Sequence, residues 1–135
     1  MFKQDEIYKR TELHEKYGGQ MQGGISTPSK HNFIFLFSSD KGEQYGYRDG
    51  WENNKIFRYT GEGQEGDMTF SRGNLAIRDH LANGKDLCLF EYVRQGYVRY
   101  VGQLSYQRHE IKEGTDKNGK PRKIIVFELA RVASK

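Results

Sequence analysis

A chain of 135 residues with 35% hydrophobic content and a mean hydropathy of -0.91 allows one domain with a modest core. Its net charge of +4 permits an anionic partner without identifying one, and its single cysteine excludes an internal disulfide and a cysteine-rich zinc site. No apolar run approaches the roughly 18 residues of a membrane span, and the start Met1-Phe2-Lys3-Gln4 is no secretory leader, so the expected location is cytoplasmic.

In chain order, residues 4–17 read as an amphipathic helix, with Ile7, Tyr8 and Leu13 on one face and Gly18-Gly19 as its stop. Residues 18–29 form a polar, glycine-rich loop, long enough to suggest a functional role. Residues 32–37, Asn-Phe-Ile-Phe-Leu-Phe, are the most apolar run and read as a central strand. A turn at 38–42, a short strand at 44–47 and a turn at 48–50 follow. A strand then begins at Lys55, and a helical run covers 75–81. Residues 86–94 and 97–107 pair as a hairpin closed by Gln95-Gly96. Asn118-Gly119 signals another hairpin turn, followed by the last strand at 123–132. Nine Tyr, eight Phe and one Trp make much of the burial aromatic, and Cys88, within Leu87-Cys88-Leu89-Phe90, reads as a buried small hydrophobe. The expected fold class is α+β: one domain over residues 1–135, a strongly curved, mostly antiparallel sheet or small barrel, one N-terminal helix and one internal helix.

Residues 55–77 organise the rest. Ile56, Arg58 and Thr60 alternate with Phe57, Tyr59 and Gly61, then glycines 61, 63 and 66 break the strand. A strand thus delivers a tyrosine and a threonine into a loop where backbone can approach a flat ligand. Gly61-Glu62-Gly63-Gln64-Glu65-Gly66 also matches the bare G-x-G-x-x-G pattern. A dinucleotide site needs that motif to open a helix after a buried parallel strand. Here Asp67-Met68-Thr69-Phe70 follows instead, and Glu62 and Glu65 would repel a pyrophosphate.

The series Gly23-Gly24-Ile25, Tyr45-Gly46-Tyr47-Arg48-Asp49, Tyr59-Thr60-Gly61-Glu62-Gly63-Gln64, Gly66-Asp67 and Gly73-Asn74-Leu75-Ala76-Ile77 resembles the SRA (SET and RING-associated) domains. The resemblance is strongest to the SRA-like modules of bacterial HNH-type, modification-dependent restriction endonucleases. It implies a curved, PUA-like sheet that binds double-stranded DNA carrying 5-methylcytosine or a related base and flips that base into a pocket. Carried over residue by residue, it gives Tyr59 and Thr60 as pocket wall, Tyr47 as the second stacking aromatic, Asp49 as acceptor for the polar edge of the base, and Gly24 and Ile25 as nearby backbone. Eukaryotic members carry a long insertion after the Tyr-Thr-Gly loop, and here Gln64-Glu65-Gly66-Asp67 closes that gap directly. The resemblance also implies a nuclease domain as partner, encoded beyond Lys135.

Two tyrosines can sandwich a flipped base, and a carboxylate accepts from cytosine N4. The densest basic group, Lys117, Lys120, Arg122 and Lys123, is the expected contact to the DNA backbone. No catalytic residues, metal ligands or cofactor are expected. Two other readings stand beside this one: a PUA-like RNA-binding module, and an enzyme using the acidic loop 62–67.

Overall fold

The computed structural model describes residues 2–39 and 49–133. Among these residues eight strands form one sheet, ordered β2-β3-β6-β7-β8-β5-β4, with β1 paired to β7 off that path. The elements are β1 (Ile7–Lys9), α1 (Arg10–Tyr17), β2 (Ile25–Ser26), β3 (Phe33–Ser38), β4 (Gly50–Trp51), β5 (Ile56–Thr60), α2 (Arg72–Arg78), β6 (Asp86–Arg94), β7 (Tyr97–Thr115) and β8 (Pro121–Arg131). All pairings are antiparallel except β3 with β6. The sheet is therefore mixed, and it curves without closing into a barrel.

β3 is buried along its whole length. Its alternation sends Phe33, Phe35 and Phe37 to one face, against Leu13 of α1, Cys88 and Phe90. Ile34 and Leu36 face the other way, among Leu87, Leu89, Ile125, Phe127 and Leu129. Cover on both faces is why this strand reads as a continuous apolar run rather than an alternating one. The aromatic bias gives edge-to-face packing, as for Phe35 against Phe90 at 5.5 Å.

β7 is the spine. Its first residues pair with β1, and its second half pairs with β8 from Leu104 to Thr115. Register shifts between Leu89 and Phe90 on β6, and between Tyr106 and Arg108 on β7, insert extra residues that bend it. That bending brings β2, at one end of the strand order, round toward β5, near the other.

Several expected boundaries move. The helix expected over 4–17 splits, because Ile7, Tyr8 and Lys9 pair with Arg99, Val98 and Tyr97 on the open edge of β7, and only then does α1 begin. β2 lies inside the expected loop 18–29, paired with Leu36 and Phe35. Gly50, expected to end a turn, and Trp51 after it pair with Arg58 and Phe57. The internal helix starts at Arg72 rather than Leu75, and β7 runs on to Thr115. The strand expected at 44–47 lies outside the described residues.

Candidate functional site

β2 and β5 meet without pairing. Tyr59, on β5, bridges the gap: its hydroxyl lies 2.7 Å from the Gly24 carbonyl and 3.1 Å from the Phe37 carbonyl, and donates its one proton across that seam. The Phe37 N–H donates to the same Gly24 carbonyl at 2.7 Å. A Cβ added to Gly24 would stand 2.6 Å from the Tyr59 hydroxyl oxygen, so this approach requires glycine. The Tyr59 ring is only 2% exposed and belongs to the core, while the residue also contributes to the wall of a cavity at the seam. Burial, then the nearby charges of Asp49 and Glu62, push its phenol well above the ordinary value.

The cavity measures about 310 Å³ and is lined among others by Gly24, Ile25, Asp49, Tyr59, Thr60 and Gly61. Five of the six expected pocket residues therefore gather at one place, and the sixth, Tyr47, lies outside the described residues. Asp49 is fixed by two donors. The Thr60 N–H donates to its Oδ1 at 2.7 Å, and the Ser38 hydroxyl to its Oδ2 at 3.1 Å. Burial raises its carboxyl above the ordinary range, and these hydrogen bonds oppose the rise. The buried Thr60 hydroxyl is near enough to favour the Asp49 carboxylate, yet it lacks the geometry of a formed hydrogen bond. Each carboxylate oxygen of Asp49 retains acceptor capacity, so it can still take an amino group from a ligand.

Asn74, readable from the sequence only as a helix cap, is buried and holds the glycine-rich loop. Its Oδ1 accepts from the Glu62 N–H at 2.8 Å, and its Nδ2 donates to the carbonyls of Glu62 and Thr69, each at 2.9 Å. A Cβ on Gly61 would meet that Oδ1 at 2.8 Å, which is why glycine must follow Tyr59-Thr60. Nothing in the sequence marks Ser38, which sits at the end of an apolar strand and orients Asp49. Trp51 packs against Phe57 at 5.1 Å, with the Arg131 guanidinium over its ring.

The acidic loop does not converge. The Glu62 carboxylate accepts from the Gly73 N–H, Glu65 pairs with Lys117 at 3.3 Å, and Asp67 accepts from the Lys123 N–H at 2.7 Å. Among the described residues no three His, Cys, Asp or Glu side chains gather to hold a metal ion. Among the same residues no helix is long and apolar enough to cross a membrane.

The basic group divides. Lys117, Lys120 and Lys123 are exposed on the β7–β8 turn and its flank. Arg122 is 3% exposed, and its guanidinium donates to the carbonyls of Gly63 (2.7 Å), Gly66 (3.2 Å) and Thr115 (3.2 Å). It does not lie open to phosphate, because it anchors the glycine-rich loop. Asp116 does the same from the other side: its carboxylate accepts from the backbone N–H groups of Gly66, Asn118 and Lys120.

A family model described as "ScoMcrA-like, SRA domain" matches residues 3–135. No curated protein matches the chain. Two solved structures of ScoMcrA align at a TM-score of 0.79 with 27% identity over 99% of this chain. One is described as the sulfur binding domain and SRA domain complexed with phosphorothioated DNA, the other as the type IV phosphorothioation-dependent restriction endonuclease. This chain spans 41% and 29% of their lengths. The SUVH5 SRA domain bound to hemi-methylated CG DNA aligns at 0.68 with 24% identity, over 98% of this chain and 89% of that one, a likeness of fold.

Proposed function

The chain belongs to the ScoMcrA-like SRA domain family, and from that premise we propose that it reads modified DNA by taking a flipped modified cytosine into the cavity at the β2–β5 seam. SRA domains are binding modules, so the reading assigns the chain no reaction of its own. The observation that carries it is the partly buried Asp49 carboxylate, held by Thr60 and Ser38 on the wall of a cavity of about 310 Å³. A cytosine N4 amino group is the donor such an acceptor suits. Tyr47 is the proposed stacking partner for the base, with Thr60, Gly24 and Ile25 as wall and Tyr59 closing the cavity at the seam. Lys117, Lys120 and Lys123 are the proposed contacts to the DNA backbone. A nuclease acting with this reader is the corresponding proposal for its partner in a modification-dependent restriction system.

Magnitudes divide the work. One buried methyl contributes about 0.8 kcal/mol, roughly a fourfold preference. Extruding the base costs a few kcal/mol. Overall affinity therefore comes largely from phosphates, and discrimination needs the cavity to disfavour the unmodified base as well.

The test compares affinities for duplexes of one sequence carrying 5-methylcytosine, a phosphorothioate linkage or neither, at one salt concentration. The expected result is tighter binding to the 5-methylcytosine duplex. That preference should be lost in Asp49→Asn, which turns an acceptor into a mixed donor and acceptor. It should also fade on acidification at a higher pH than an ordinary carboxylate would give, because the Asp49 carboxyl is raised. A preference for phosphorothioate alone would move the reading from base to backbone sulfur. Equal affinity for all three would remove it.

A further inference from the structure

A second cavity, of about 610 Å³, opens beside the first. Ile25 and Glu62 line both, so a single wall divides them. Arg72 and Lys85 line the second cavity, together with Gln20 and Gln22. The one carboxylate on its lining, Glu62, accepts through Oε2 from the Gly73 N–H at 3.1 Å. Among the described residues neither the Arg72 guanidinium nor the Lys85 ammonium has a side-chain partner. Two unpaired cations thus face one polar hollow whose acid is already engaged.

The backbone at Arg72 adds a second observation. Its φ is +47°, in the left-handed region where a side chain is disfavoured. The turn is held by neighbours: Gly73 by Glu62, and Asn74 by Glu62 and Thr69. Glycine would fit this backbone without strain but would carry no charge. A cation at a strained position beside a cavity is a pointer to a ligand.

We propose that this cavity is a phosphate subsite, in which Arg72 and Lys85 hold the phosphodiester next to the flipped nucleotide. The inference rests on the first cavity being the base site. A base seated there leaves its own sugar and phosphates at the cavity mouth, and the adjoining hollow, which shares Ile25 and Glu62 with it, carries Arg72 and Lys85 on its lining. Guanidinium and ammonium groups suit phosphate oxygens, and such an interaction carries no base information.

The experiment places single neutral methylphosphonates at the phosphates flanking a 5-methylcytosine, and titrates wild type and Arg72→Gln with Lys85→Gln. At one flanking phosphate wild type should lose about tenfold in affinity, the scale of a charge-assisted hydrogen bond. The double variant should bind unmodified phosphates about tenfold more weakly and show no further loss at that position. Its salt slope should fall by about one, for the one phosphate no longer neutralised. Additive losses at every flanking phosphate, or an unchanged slope, would overturn the proposal. Arg72→Gly separates binding from folding: it should melt no lower than wild type yet still bind weakly, and normal binding by it would remove Arg72 from the subsite. A wild type with no preference for modified over plain duplex, but a reduced slope in the double variant, would remove the base reading and keep a phosphate site. A retained preference with an unchanged slope would do the reverse.

Discussion

Tyr59 carries two demands on one side chain. Its ring fills the core, and its hydroxyl joins two carbonyls on the far side of the seam. Tyr59→Phe separates them. The ring and its burial remain, Gly24 keeps its bond from the Phe37 N–H, and the Phe37 carbonyl loses its donor from Tyr59. The expected cost is about 1–2 kcal/mol of stability, read from urea unfolding. Preference for modified DNA should weaken with it, since Gly24 and Phe37 line the same cavity. An unchanged midpoint would mean that the hydroxyl contributes nothing across the seam. The identity of Tyr59, Thr60 and Asp49 as a group was legible in the sequence, through the strand pattern and the family's motif order. Their mutual geometry was not, because Ser38 and the Gly24 carbonyl come from segments with no local signal for the site.

Among the elements, the glycine-rich loop and the β7–β8 turn act as one unit. Arg122 and Asp116 reach from the hairpin to the loop, and the Lys117 N–H donates to the Gln64 carbonyl at 2.9 Å. Arg122 stands beside three lysines in sequence, so its charge alone suggests a shared surface role; strand alternation turns it inward while Lys123 points out. This difference is measurable. Arg122→Gln should destabilise by about 2–3 kcal/mol, because buried carbonyls lose a charged donor. Lys120→Ala with Lys123→Ala should leave melting nearly unchanged, weaken modified and plain duplexes alike, and lower the salt slope by about one for each phosphate no longer neutralised. A melting loss in the lysine pair with none in Arg122→Gln would reverse the assignment. The Asn118-Gly119 turn was legible because its chemistry is local: Gly119 has φ +77° and the Asp116 carboxylate caps the neighbouring amides. β1 was not, because three residues with helix-compatible spacing become a strand only when the β7 edge is present to receive them.

For the molecule as a whole, α1 is joined to the sheet through a buried cation. Arg10 is 7% exposed, donates through Nε to His14 Nε2 at 3.0 Å and through Nη1 to the Tyr92 hydroxyl at 2.6 Å, and lies over the Phe37 ring at 3.8 Å. His14 must accept at Nε2, so its proton sits on Nδ1, 2.9 Å from the Gly18 carbonyl. Burial lowers its pKa from 6.5, and the Arg10 charge acts in the same direction. The folded state therefore binds this proton less readily than the unfolded one. Stability is present above pH 6.5 and is lost as pH falls from there through the lowered native value. Urea midpoints between about pH 8 and about pH 5 should decline on the acid side in wild type and decline less in His14→Gln; parallel profiles would show that His14 does not carry the dependence. Curvature, a mostly antiparallel sheet and the two helices were legible as a class, whereas the short strands β1, β2 and β4 were not. The parallel β3–β6 pairing was not, because an apolar run buried on both faces carries no mark of its partner's direction.

The seam also governs how the molecule yields under load. Elsewhere along the strand order, neighbours are laced by backbone ladders, and widening one means breaking several bonds in register. Between β2 and β5 the direct strap described is a single phenolic hydroxyl. The cavity therefore sits where no ladder crosses, and widening it loads the Tyr59 hydroxyl and the Ser38–Asp49–Thr60 link while the ladders stay intact. Rim positions that hold no backbone in place are therefore where a substitution can alter the shape of the opening while every ladder stays intact.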